Sequence, residues 1–447
     1  MKLEEAPATF KLEIPKSRRQ NGNANKLAPE DRAFHDWYRF VLSFPPHLVR
    51  DYINEFNLSK NSVILDPFCG TGTTLIEAKM LGYQSIGLEA NSFAHFAASV
   101  KVNWQVDADK LLEKSRDIAY TALELLKLQG FDDSHPLKSI PKNIKPRSLS
   151  PETEKLILTN SISPIPLHKT LVLLDCIKEI KQEPFYGHAL LALGNALVFK
   201  ISNLHFGPEV GVRNPKTDVA VVNSWLEEIE KIVSDIKGVI GKESPKSDVY
   251  LGDSREIAKV IPNSSIDAVI TSPPYPNEKD YTRTTRLESV LLGFINSKEE
   301  LRALKKTLMR SNTRGVYKGD SDDQWVENHP EIQRIANEIE KRRIELEKDS
   351  GFERLYSKVT KLYFGGMARH LADLRQLLRP GAQLAYVVGD QASYLRVKIR
   401  TGELLAEIAS ELGYELVKID LFRTRIATAT KEQLREEVVV LRWPSKE

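Results

Sequence analysis

The segment Asn61–Glu89, NSVILDPFCGTGTTLIEAKMLGYQSIGLE, decides the fold. Its Val/Ile/Leu run at Ser62–Asp66 predicts a short buried strand, TTLIEAKML at Thr73–Leu81 a helix, and YQSIGLE at Tyr83–Glu89 a second strand. SFAHFAASVKVNW, Ser92–Trp104, is helical again, so the region reads as a βαβα unit with parallel strands.

Outward from this unit the alternation stops near Val106 and resumes only at SDVYLGD and SSIDAVITSPPY. It pauses again from Asn296 to Ser357, then continues through the helix MARHLADLRQLL and the strands AQLAYVVGD, YELVKIDLF and EEVVVLRW. Seven short strands in this order predict an α/β fold: a doubly wound, mostly parallel, Rossmann-like sheet whose last two strands pair antiparallel. Two largely helical insertions, 107–247 and 296–357, interrupt it.

Composition agrees with a globular chain. Of 447 residues, 41% are hydrophobic and 28% charged, with 23 Gly and 23 Pro, which excludes a stapled mini-scaffold, a disordered chain and a fibre. Lys and Arg, 64, nearly balance Asp and Glu, 61, so attraction to nucleic acid must come from local clusters. Cys69 and Cys176 stand far apart without CxxC spacing, which argues against disulfides and structural zinc and for a reducing compartment. The first 26 residues lack the apolar core of a signal peptide and read, to about residue 30, as a flexible basic arm. His188–Ile201, broken by Gly194 and Asn195, is too short to span a bilayer, so a soluble intracellular protein is expected.

In doubly wound sheets ligands bind beyond the carboxyl ends of the strands, which directs attention to DPFCGTGTT at Asp66–Thr74. Gly70 and Gly72 permit a tight turn and close approach to a ligand, and Thr73 begins a helix whose amides face the same pocket. The loop lacks the GK of a triphosphate site and the third glycine of the dinucleotide fingerprint. Glu89, ending the second strand, is placed to accept hydrogen bonds from two ribose hydroxyls. Asp66 is placed to hold an ammonium group and Asp253, in LGDS, an adenine amino group. An adenosine-containing ligand fits these acids; the plain alternative is that they cap helices. Cys69 reads as a small buried thiol and not as a nucleophile. His35, His47 and His188 lack metal-ligand spacing, and no metal is expected.

The second chemical signal is IDAVITSPPYPN. A strand runs straight into Thr271, Ser272, Pro273, Pro274 and Tyr275. The prolines fix φ and carry no amide hydrogen, so the Ser272 hydroxyl and Pro273 carbonyl become preset acceptors beside the Tyr275 ring, an arrangement suited to a planar amine. A rigid surface turn is the plain alternative.

With both motifs in place, the sequence resembles the DNA amino-methyltransferases, which transfer a methyl group from S-adenosylmethionine to the exocyclic amine of adenine or cytosine. DPFCGTGTT, with Phe68, Gly70, Gly72 and Thr73, resembles that family's FxGxG cofactor loop. Glu89 in GLEAN resembles its ribose-binding acid, Asp253 its adenine-contacting acid, and TSPPY its (D/N/S)PPY catalytic motif. FHDWYRFVLSFPPHLVRDYI, Phe34–Ile53, resembles the helix that completes the methionine end of the pocket.

The resemblance implies S-adenosylmethionine as cofactor and double-stranded DNA as partner, with 31–106, 248–295 and 358–447 forming the catalytic domain. It implies a flipped-out base whose amine hydrogens are accepted by Ser272 and the Pro273 carbonyl while Tyr275 stacks on the ring. A serine at the head of the motif favours cytosine N4 over adenine N6. An RNA amino-methyltransferase and an inactive nucleic-acid-binding protein of the same fold are the remaining alternatives. A cytoplasmic, nucleoid-associated location and a cognate restriction endonuclease complete the expectation; the oligomeric state is not read.

The basic stretch Lys298–Lys318 sets Lys298, Arg302, Lys305, Lys306, Arg310, Arg314 and Lys318 against Glu299 and Glu300. Together with Arg283 and Arg286 it predicts a phosphate-binding wall, with Lys305, Lys306, Arg310 and Arg314 as DNA contacts; a solvated helix is the competing reading. The helical stretch Glu331–Lys348 reads as scaffold. The region 107–247 is the candidate target-recognition insertion, and its loop-like NLHFGPEVGVRNPK offers Arg213 and Lys216 to DNA.

Overall fold

The computed structural model describes residues 27–39, 43–138, 145–207, 210–277, 279–426 and 432–445. Most of the expected basic arm therefore lies outside the described residues. The main sheet consists of β1 (Val63–Asp66), β2 (Gln84–Glu89), β3 (Ser247–Leu251), β4 (Ile266–Thr271), β5 (Leu378–Gly389), β6 (Glu415–Ile426) and β7 (Gln433–Arg442). In these labels the order is β3-β2-β1-β4-β5-β7-β6. The first five strands are parallel, and β7 runs antiparallel to both β5 and β6. This is the expected doubly wound sheet with its antiparallel final pair.

The central strands are mostly apolar because helices cover both their faces: Ile64, Leu65, Ala268, Val269 and Ile270 are fully buried. Strand order reverses between β1 and β4, which pair directly through Ile64↔Ala268 and Leu65↔Val269. The glycine loop leaves β1 and the SPPY loop leaves β4. Two motifs some 200 residues apart in sequence thus emerge from neighbouring strands, about 5 Å apart.

The first insertion contributes the helices Ala108–Leu128, Pro164–Lys178, Tyr186–Ala196 and Val222–Lys237. Their apolar faces share one core with the helix Ser92–Val102 and with Phe34 and Trp37. In the second insertion, Ile332, Ile335, Ala336 and Ile339 of the helix Pro330–Glu345 are buried against the sheet side, as a scaffold requires, while Leu346 is 49% exposed. Among the described residues no helix is long and apolar enough to cross a membrane.

Two local expectations need correction. Phe34–Ile53 is not one helix: Phe34 has φ +61°, His35–Trp37 make a single 3-10 turn, and the α-helix begins only at Pro46. Pro45 and Pro46 explain the boundary, since proline lacks the amide a continuous helix needs but suits a first helical position. NLHFGPEVGVRNPK, read as a loop, contains an antiparallel pair, Leu204–Phe206 with Val210–Val212. Its strands are too short to show alternation, and Lys216 donates to the Lys200 carbonyl (2.7 Å).

The second insertion docks on the helix Tyr356–Leu374 through two glycines. A Cβ on Gly365 would overlap the Asp322 carbonyl, and one on Gly366 would lie 2.5 Å from the Met309 sulfur. Gly365→Ala is expected to destabilise the fold by about 1–3 kcal/mol through overpacking. Gly351→Ala, at an open position, should be near neutral. Denaturant unfolding of the two variants side by side checks this; equal midpoints would contradict the docking.

Candidate active site

A cavity of about 600 Å³ opens at the carboxyl ends of the strands. Its wall includes Phe44, Phe68, Gly70, Glu89 and Ser254 as well as Ser272, Pro273, Pro274 and Tyr275. The two motifs singled out in the sequence therefore share one enclosure.

The glycine loop is shaped by left-handed residues, Gly70 at φ +51° and Gly72 at φ +87°. Gly72 also sits against Ala98, where a Cβ would be 3.3 Å away. The Cys69 amide donates to the Leu88 carbonyl (3.1 Å), and Thr74 Oγ1 to the Ile270 carbonyl (3.0 Å), so the loop is tied to β2 and β4. Glu89 accepts from the Gly70 amide (2.9 Å) through Oε2 and from the Asn91 amide (2.8 Å) through Oε1. Each oxygen keeps a lone pair for a further donor. Burial pushes the Glu89 pKa up to about 7, against the two amides that favour the anion.

Asp66 is fully buried beneath the loop. Its Oδ1 accepts from Thr271 Oγ1 (2.6 Å) and the Phe68 amide (3.1 Å), while Oδ2 has no partner. Burial raises its pKa to about 6. The Cys69 thiol is buried against Gly87 and pushed well above the ordinary range by desolvation, which makes it a packing group. Phe68 meets the His370 ring edge-on at 4.9 Å, and Thr73 lines the cavity.

Asp253 stands differently from the expectation. Both of its oxygens are held by the Arg255 guanidinium, at 2.6–3.1 Å, and it caps the following turn through the Arg255 amide. Its neighbours Gly252 and Ser254 are on the cavity wall.

In the SPPY loop, Ser272 Oγ donates to the Val387 carbonyl on β5 (3.2 Å). A hydroxyl has one hydrogen, so what Ser272 offers any other group is acceptor lone pairs, one of them within reach of the Tyr275 hydroxyl. The Tyr275 ring rests on Gly389, whose missing side chain makes the seat: a Cβ there would be 3.0 Å from the ring. Asp280 accepts from Lys305 (2.7 Å) and from Thr282, which pins the segment after the SPPY loop to the second insertion.

The six predicted phosphate contacts divide. Arg310 is buried and spends its donors on Asp320 and on the Lys305, Leu308 and Lys306 carbonyls. Arg286 donates to Thr282 and the Leu156 carbonyl. Arg310 does not face solvent as a DNA contact must, and Arg286 is half-buried; both cross-link chain segments, a role that charge counting cannot separate from phosphate binding. Lys305 is paired with Asp280 on the cavity wall, and Arg283 is half-buried with an unpartnered Nε. Lys306 and Arg314 are exposed, lying over the Tyr317 and Phe352 rings.

Phe422, Arg423, Arg425 and Glu436, at the site end of β6 and β7, also line the cavity and were missed. Their strands carry ordinary alternation, and only the sheet order brings them to the site.

A model of the DNA methylase family matches residues 10–99, which include the glycine loop and Glu89. Similarity also extends along nearly the whole chain. The type II methyltransferase M.BsoBI of Geobacillus stearothermophilus is 28% identical over 93% of this chain and 85% of its own length. Along nearly its whole length, then, the chain is similar to DNA methyltransferases. A second relative in name and reach, the type II methyltransferase M.AvaI of Anabaena variabilis, is 24% identical over 94% of this chain and 88% of that protein. Among solved structures, TrmN from Thermus thermophilus superposes with a TM-score of 0.31 at 11% identity, over 92% of this chain and 52% of that one.

Proposed function

We propose that this protein methylates the exocyclic amine of a base flipped out of double-stranded DNA, with S-adenosylmethionine as donor and cytosine N4 as target. The observation that carries the reading is the single cavity shared by the glycine loop with Glu89 and by Ser272–Tyr275.

The residues present fit the cofactor. Glu89, on the cavity wall, retains acceptor capacity for two ribose hydroxyls, whereas Asp66 is fully buried and is not one of the residues lining the cavity. The cavity lies within the range of nucleoside-sized sites, roughly 300–1,000 Å³. When bound, S-adenosylmethionine supplies an electrophilic methyl group on a sulfonium.

The chain's own contribution is to the amine. An aromatic exocyclic amine delocalises its lone pair into the ring and is a poor nucleophile. Ser272 Oγ, its hydrogen already given to Val387, accepts one amine hydrogen and the Pro273 carbonyl the other, which turns the lone pair out of the ring plane and towards the donor. Pro274 keeps the pair of acceptors rigid. Tyr275 stacks on the extruded base and returns about 1–3 kcal/mol of the unstacking cost. Neutral serine is a weak base, so the amine proton leaves to water after transfer. The SPPY form of the motif supports cytosine by resemblance. The full-length similarity to type II methyltransferases supports a cytoplasmic modification enzyme acting beside an endonuclease of the same site.

Incubation with methyl-labelled S-adenosylmethionine and either unmethylated duplex DNA or RNA tests the reading. Label is expected in DNA; label in RNA alone would reject it.

The Glu89 pKa gives a pH dependence with a definite sign. Ribose hydroxyls bind best to the anion, so binding pulls the pKa down and releases a proton near neutrality. Cofactor affinity should weaken about tenfold from pH 8 to pH 6, and Glu89→Gln should flatten that slope. Calorimetric titration at the two pH values reads it; a pH-independent affinity in the wild type would contradict the assignment.

A further inference from the structure

Arg423 lines the same cavity as Ser272 and Tyr275. Its Nε and Nη2 pair with the two oxygens of Glu436 across the β6–β7 ladder, at 2.5 and 2.9 Å. This fork-to-fork contact fixes the guanidinium plane. The Nη1 group, with two N–H donors, bonds to none of the described residues. The Glu436 methylene lies 3.3 Å, and the Tyr275 ring 3.0 Å, from where a Gly389 Cβ would be, so the acid that holds the arginine and the stacking ring meet at one glycine.

Cytosine and adenine differ along the edge next to the amine. Beyond its amine, cytosine presents two adjacent acceptors, N3 and O2, whereas adenine presents one acceptor, N1, and then a C–H. Flipping strips those acceptors of their pairing partners, and a buried acceptor left unpaired is costly. With the amine hydrogens taken by Ser272 and Pro273, what the cytosine edge still needs is a cationic donor.

We propose that Arg423, held by Glu436, is a specificity-determining residue that donates through Nη1 to the N3/O2 edge of a flipped cytosine. The inference rests on the amino-methyltransferase reading above and names the group that selects the base. Glu436 acts through Arg423 as a positioning residue.

The test uses the full chain, duplex DNA from a methylation-deficient host, and product digestion to nucleosides. Arg423→Met is expected to lower kcat/KM for N4-methylcytosine about 10- to 100-fold, the discrimination carried by a good bidentate base contact. S-adenosylmethionine affinity and the salt dependence of DNA binding should stay as in the wild type. Arg423→Lys, which keeps a charge beside Glu436, should recover part of the loss and carries the test alone if Arg423→Met does not fold. Near-wild-type turnover in the variant tested would overturn the proposal. So would a salt slope reduced by about one, which marks a phosphate contact, or loss of cofactor affinity in step with turnover, which marks a structural role. A wild-type protein that yields no N4-methylcytosine would refute the underlying reading instead, and shows itself before any variant is made.

Discussion

Ser272→Ala is expected to cut turnover by about 10²–10³-fold, the scale on which enzymes lose rate when one preorganised polar group aimed at the reacting centre is removed. The side chain sits on the cavity wall, and its hydrogen is engaged by the Val387 carbonyl, so the substitution deletes an acceptor and little packing. Cofactor affinity should be unchanged, because Ser272 follows β4 while Glu89 ends β2, with β1 between them. Tyr275→Ala should cost about 10- to 100-fold by removing the stacking face, with the deficit largest where the base must be drawn from a duplex. Single-turnover kinetics beside calorimetric cofactor titration separates the two roles. A Ser272→Ala protein with near-normal turnover would show that the amine is not held there.

Glu89→Ala is expected to act on cofactor binding. The carboxylate is gripped by the Gly70 and Asn91 amides, so its removal takes away the ribose acceptors and also unpins the glycine loop. Hydrogen bonds to a charged group contribute about 1.5–3 kcal/mol each, so losing two predicts cofactor binding at least 100-fold weaker. Thermal stability should fall as well, since the Gly70 and Asn91 amides lose their acceptor, so affinity is compared at a temperature where both proteins are folded. Isothermal titration with S-adenosylmethionine gives the answer, and unchanged affinity would remove the ribose contact from the account.

The two motifs were legible in the sequence for a common reason. Gly70, Gly72, Pro273 and Pro274 act on the backbone, and backbone requirements show in single residues: a left-handed turn asks for glycine, a stiff loop for proline. The Val/Ile-rich strands were readable because burial on both faces leaves no polar alternation. What was not legible depends on contacts between distant segments. The strand order puts Arg423 and Glu436 on the cavity wall, yet neither stands in a motif. Arg286 and Arg310 count as basic in composition, and only the fold reveals their partners in Thr282, Leu156 and Asp320. Asp253 lies two residues beyond the end of its strand at Leu251, where it caps the next turn, and the neighbouring Arg255 takes both its oxygens. The start of the helix at Pro46 was written in the Pro45–Pro46 pair, which family resemblance overrode.

The most direct measurement identifies the modified nucleoside. Unmethylated duplex DNA, treated with the protein and methyl-labelled S-adenosylmethionine and then digested to nucleosides, is predicted to carry the label on cytosine N4. Label on a ring carbon, or DNA left without label, would contradict a site built to grip an exocyclic amine.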